Sequence, residues 1–125
     1  MVAPSLRIAP DLYIGDFAAI MLSVASPDTN TVAAQNAIVR VDKQDFLNFN
    51  MLSNATLIRN ETDTTITLGT GVGQFWTESN QIIFNVGVVN PGESLTIMYV
   101  LPVTEFVPSA EVLSRITGLE VTQAV

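Results

Sequence analysis

An all-β domain, built as a sandwich or barrel of short antiparallel strands, is what this sequence predicts, and three observations carry that prediction. Apolar residues recur at every second position in several separate runs. Turn-forming residues punctuate the chain between those runs. The length, 125 residues, fits a single core and hence one domain over residues 1–125.

The runs follow one another along the chain. Residues 1–14 read as an N-terminal arm or a first strand. Phe17 to Ala25 is apolar on both faces, as expected of a strand in the middle of a sheet. Ala37, Val39 and Val41 alternate with Ile38, Arg40 and Asp42, and Thr64, Ile66 and Leu68 alternate with Thr65 and Thr67. Ile82, Phe84 and Val86 alternate with Gln81, Ile83 and Asn85. Leu95, Ile97, Tyr99 and Leu101 alternate with Ser94, Thr96, Met98 and Val100. Successive strand side chains point to opposite faces, so each pattern supplies one face for a core.

Between them stand Ser26-Pro27-Asp28-Thr29-Asn30, Gly69 to Gly73 and Asn90-Pro91-Gly92, residues that preset φ or tolerate positive φ. Asp45 to Ser53 is less regular and reads as a long connection between sheets. Residues 105–125 form a C-terminal strand or tail. Pro108 to Glu111 could cap a short helix, but Leu119 and Val121 alternating with Glu120 and Thr122 favour a last strand.

Composition excludes much chemistry. There is no cysteine and no histidine, so no thiolate nucleophile, disulfide, Cys/His zinc site or histidine general base exists. Cofactors are expected to be none. Twelve acids oppose five bases for a net charge of −7, and Arg7, Arg40, Lys43, Arg59 and Arg115 are scattered. Phosphate backbones and anionic membranes need clustered cations, so neither nucleic acid nor a membrane is expected as partner. Charged residues make up only 14% of the chain, against roughly a quarter in ordinary soluble domains. Mean hydropathy is +0.40. A sheet domain this small leaves some of that apolar surface outside, where it marks contacts with self or with other structural proteins.

The apolar run Phe17–Ala25 is about half the length that spans a bilayer. It also follows Asp11 and Asp16, unlike the apolar region of a leader. The expectation is a chain made without a leader or in a trimmed form.

Tyr13-Ile14-Gly15-Asp16 followed by a long apolar strand, Asn36 to Asp42 ending in aspartate, Ser53 to Leu57, and Ile83 to Gly87 stand in an ordered series. The series closes on Asn90-Pro91-Gly92-Glu93-Ser94 before the strand Leu95–Val103. The set resembles an Ig-like conserved repeat domain, an unknown-function family of bacterial and archaeal surface proteins. Where that family has an Asn-Thr-Gly turn, this chain has Ala25 to Asn30. The resemblance implies an immunoglobulin-like β-sandwich of about seven to eight antiparallel strands, used as a spacer or adhesive unit, with no catalytic residue to carry over.

Gly69-Thr70-Gly71-Val72-Gly73 lacks the Gly-Lys-Ser/Thr ending of a phosphate loop and reads as a flexible hairpin loop. Asp42/Asp45 and Glu61/Asp63 offer too few oxygens for calcium and read as solvated acids. Asn54-Ala55-Thr56 and Asn60-Glu61-Thr62 are formal N-glycosylation acceptors. Trp76 is either an interface or glycan anchor or a residue folded over the sheet edge. Met98 and Val100, with Ile38 and Ile83, lie on nominally outer faces and form an interface if the fold clusters them, unless a terminal segment covers them.

The resulting expectation is a structural protein and not an enzyme. It takes the form of a virion surface component, such as a capsid decoration, or of a subunit of a surface assembly. The alternatives are an Ig-like repeat of a bacterial or archaeal cell-surface adhesin and a carbohydrate-binding module. The corresponding location is the virion or the extracellular or cell surface.

Overall fold

The computed structural model describes residues 3–8, 13–26, 32–43, 45–108 and 119–124. Among these the strands are β1 (Ala3–Ile8), β2 (Phe17–Ala25), β3 (Ala34–Asp42), β4 (Ala55–Arg59) and β5 (Thr62–Leu68), followed by β6 (Gln74–Thr77), β7 (Gln81–Val89), β8 (Ser94–Pro102) and β9 (Glu120–Ala124). A single 3-10 turn, Phe49–Met51, interrupts them. The all-β expectation is met. Every period-two run named above falls within a strand, and the C-terminal alternation becomes β9. The alternative helix from Pro108 lies mostly outside the described residues.

The arrangement differs from an all-antiparallel set of seven or eight strands. All nine strands join one curled, mixed sheet in the order β1-β2-β8-β4-β5-β6-β7-β3-β9. Pairs β2·β8 and β3·β7 are nested, and the chain passes between the halves repeatedly: over to β3 after β2, back to β4, across through β5 to β6 and β7, back to β8 and over again to β9. Strand β5 links the halves. It pairs antiparallel with β4 from Thr62 to Ile66 and then parallel with β6 through Thr67 and Leu68.

That parallel pair has a local cause. Parallel neighbours ordinarily need a long crossover, but Gly69 (φ 154°) and Gly73 (φ 78°) fold the chain back within a few residues. Polar contacts then hold the loop. Gly69 N–H donates to the Phe75 carbonyl at 2.8 Å and Gly73 N–H to the Asn85 carbonyl at 2.8 Å. The Gln74 carboxamide oxygen accepts from Gly71 N–H at 3.0 Å. The stretch expected to be a flexible hairpin is thus a hydrogen-bonded link between parallel strands.

The core lies inside the curl. Ile20, Leu22 and Val24 of β2, Val39 and Val41 of β3, Phe75 of β6, Phe84 of β7, and Leu95, Ile97 and Tyr99 of β8 belong to one buried cluster. Residues 45–54 carry the chain from β3 to β4, anchored by the Leu47–Val103 bridge and by buried Phe46. The outermost strands β1 and β9 come close to one another, so the sheet nearly closes on itself. Near-closure limits the unpaired edge offered to other chains.

Candidate functional site

The outward faces hold the interface candidates, and the structure divides them. Ile38, Ile83 and Trp76 belong to the second half of the sheet. Trp76 pairs in register with Ile83, which in turn pairs with Arg40. Ile83 is fully buried, which corrects its reading as an exposed interface residue. Its neighbours in that row, Trp76 and Arg40, are bulky, and strand alternation fixes which face a residue takes without fixing what lies over it. Trp76 and Ile38 are half-buried.

Met98 and Val100 lie on the other half, on the outer face of β8. Val100 is 50% exposed and Met98 half-buried. Register places Met98 between Met21 of β2 and Thr56 of β4, Val100 beside Ala19, and Pro102 beside Phe17. Phe17 is 70% exposed. The run Phe17–Ala25 therefore sits between two strands, as expected, but only one of its faces is in the core. Phe17, Ala19 and Ala25 are exposed on the other.

The outward residues of β2 (Phe17, Ala19, Met21, Ser23, Ala25), β8 (Ser94, Thr96, Met98, Val100, Pro102) and β4 (Thr56, Ile58) include no charged side chain. Beyond Phe17, the Tyr13 and Phe106 rings meet at 5.1 Å between centroids and Ile14 is exposed, with the exposed acids Asp16 and Glu105 next to Phe17 and Phe106 in the chain.

This face is not flat. Met51, Leu52, Ser53 and Asn54, leading from the 3-10 turn into β4, stand against Met98 and Val100 and enclose a pocket of about 160 Å³. The pocket is half open and its lining is mixed, with Met51, Met98 and Val100 apolar and Ser53, Asn54 and Thr56 making it about equally polar. Sequence reasoning found Met98 and Val100 from strand parity. It missed Phe17, which opens a run that is apolar at both parities, and Met51, which lies in an irregular segment without a period to read.

No protein-family model matches the chain, and no curated protein matches it.

The remaining candidates are separate from this face. Among the described residues no group of three or more acidic side chains could hold a metal ion. Asp42 accepts from the Gln81 carboxamide at 3.2 Å. Glu61 is exposed at the β4–β5 turn, and both acceptor asparagines, Asn54 and Asn60, are exposed. The Asn90–Ser94 turn is tied to β4. The Glu93 carboxylate accepts from Asn90 N–H at 3.0 Å and lies 3.5 Å from Arg59 Nε, while Arg59 Nη2 donates to the Val88 carbonyl at 2.6 Å. Nε itself lacks hydrogen-bond geometry toward any partner. Its contact with Glu93 is therefore an ion pair by distance, and the directional bond of Arg59 is the one to Val88.

One buried group stands apart. The Tyr99 hydroxyl is enclosed in the core without a hydrogen-bond partner, and burial pushes its pKa up. The Tyr99 ring stacks on Phe84 at 5.8 Å between centroids, and the phenol keeps its proton at neutral pH.

Proposed function

We propose that this chain is a non-enzymatic structural module of a larger assembly, either a virion surface component or a subunit of a surface assembly. In this reading the curled sheet works as an immunoglobulin-like sandwich, a rigid body that presents a docking face. The observation that carries it is the outward face of β2, β8 and β4, which is free of charged side chains although the chain carries −7, and which exposes Phe17 and Val100. Exposed apolar surface of that kind is characteristic of partner contacts.

The test is sedimentation of native source material followed with an antibody to the chain. Wild-type chain is expected in the fast fraction with large particles, and a chain carrying Val100→Glu in the slow fraction. Wild-type chain found only as a slow species overturns the role.

A second reading, an Ig-like repeat of a cell-surface adhesin, is favoured by the tied Asn90–Ser94 turn, which gives the most distinctive segment of the family resemblance a structural purpose. The same antibody separates the two readings, since an adhesin repeat resides in a polypeptide much larger than 13.5 kDa.

A further inference from the structure

We infer that two copies of this chain dock face to face, each seating its Phe17 ring in the pocket that the other presents between Met51, Met98 and Val100. The inference rests on the assembly role and names the first partner of its docking face as a second copy.

Size comes first. An engineered apolar cavity of about 150 Å³ takes up benzene, and the pocket here measures about 160 Å³. It therefore has room for a phenyl ring. Its walls suit one, because thioether sulfur packs favourably against aromatic rings and two of the lining residues are Met51 and Met98.

Placement comes second. Phe17 is 70% exposed and pairs with Pro102, on the strand that supplies Val100 to the pocket wall. Knob and hole thus lie side by side on one face. A two-fold axis requires that arrangement, since each surface must be complementary to itself and each contact is made twice.

Charge comes third. Two copies at −7 repel each other at long range. The outward residues of β2, β8 and β4 bear no charge, so contact through them brings no like-charged side chains of these strands together. Ser53, Asn54 and Thr56 at the pocket provide the polar groups that border an apolar contact.

The experiment is sedimentation equilibrium of the full chain from micromolar to millimolar concentration. It compares wild type, Phe17→Ala, which removes the knob, Ser53→Trp, which blocks the hole, and an equimolar mixture of the two variants. Phe17 and Ser53 are exposed, so both variants keep the fold, and circular dichroism checks this. Val100→Asp closes the hole with a charge and replaces Ser53→Trp if tryptophan disturbs β4.

Wild type is expected to dimerise, and each variant alone to associate about tenfold more weakly or worse. Mixing is expected to restore part of the association, because the intact hole of one variant meets the intact knob of the other. A monomeric wild type, a Phe17→Ala chain that dimerises as wild type does, or a mixture no better than its components each overturns the inference. A monomeric wild type leaves the assembly role standing, because co-sedimentation with large particles is a separate measurement and then points to an aromatic side chain of a different protein in the pocket.

Discussion

Two residues carry measurable strain or cost. The Tyr99 hydroxyl is buried without a hydrogen-bond partner, and an unpaired buried polar group costs about 1–3 kcal/mol. Tyr99→Phe is therefore expected to leave stability unchanged or raise it by about 1 kcal/mol, read from urea denaturation. The pH dependence has a definite sign. Burial raises the folded-state pKa, so in alkaline solution the unfolded chain loses its phenolic proton first. Stability is full below the unfolded pKa of about 10 and falls above it by at most about 1.4 kcal/mol per pH unit. The Tyr99→Phe chain is expected to lose that component of the alkaline slope, and an identical slope in both chains would count against it. At the β4–β5 turn, Asn60 (φ 52°) and Glu61 (φ 62°) both adopt left-handed backbone, as a type I′ hairpin turn requires. Asparagine tolerates that conformation and glutamate does not. Glu61→Gly is expected to stabilise by about 0.5–1 kcal/mol, seen as a higher melting temperature.

At the scale of elements, two connections hold the strand order in place. Gly87 in β7 has φ 74°, and a Cβ built there meets Val72 Cγ1 at 2.8 Å. The loop between the parallel strands thus lies against the outer side of β7. Gly87→Ala is expected to cost about 2 kcal/mol or more. Val72→Ala in the same chain recovers only the steric part, because the backbone conformation still disfavours a side chain, and full recovery in a double-mutant cycle would contradict that division. Arg59 ties β4 to β7 through the Val88 carbonyl and to the Asn90–Ser94 turn through Glu93. Arg59→Met is expected to cost about 1–2 kcal/mol, the hydrogen-bonded part persisting in high salt while the ion-pair part is screened. Neither tie was legible in the sequence. The alternation of Leu95, Ile97 and Tyr99 revealed a strand and its inner face, because period two is a local property of the backbone. The parallel contact of β5 with β6, and the reach of Arg59 to Val88, depend on how distant segments meet, and no local period encodes that. Ile83 failed as an interface residue for the same reason, since parity placed it on the outer face but could not show it buried. On the outward face of β2 and β8, Met98 and Val100 were legible by parity, whereas Phe17 opens a run that is apolar at both parities, so period two did not mark its face.

For the whole molecule, the question is whether the two halves of the curled sheet are one cooperative unit. Among the described residues strand pairing joins them only through β5, and its contact with β6 is confined to Thr67 and Leu68. Side chains join them far more strongly. Phe84 of β7 packs with Phe75 of β6 at 5.8 Å between ring centroids and stacks on Tyr99 of β8 at 5.8 Å, so the three rings bridge the halves. Leu22 of β2 and Val39 of β3 belong to the same buried cluster as these rings. A shared core makes the loss of one half's packing the loss of the other's, and domains of this size ordinarily unfold in one step. Phe84→Ala removes the central ring and is expected to cost about 3–5 kcal/mol, a large fraction of the 5–15 kcal/mol that holds such a domain together. Hydrogen exchange locates the effect. If the core is one unit, the slowest amides of β2 and β8 lose the same free energy of protection as those of β3 and β7, although Phe84 lies in the second half. Protection retained in β2 and β8 while β3 and β7 open would mean two weakly coupled layers, and the face carrying Phe17 and Val100 would then rest on the independently stable one.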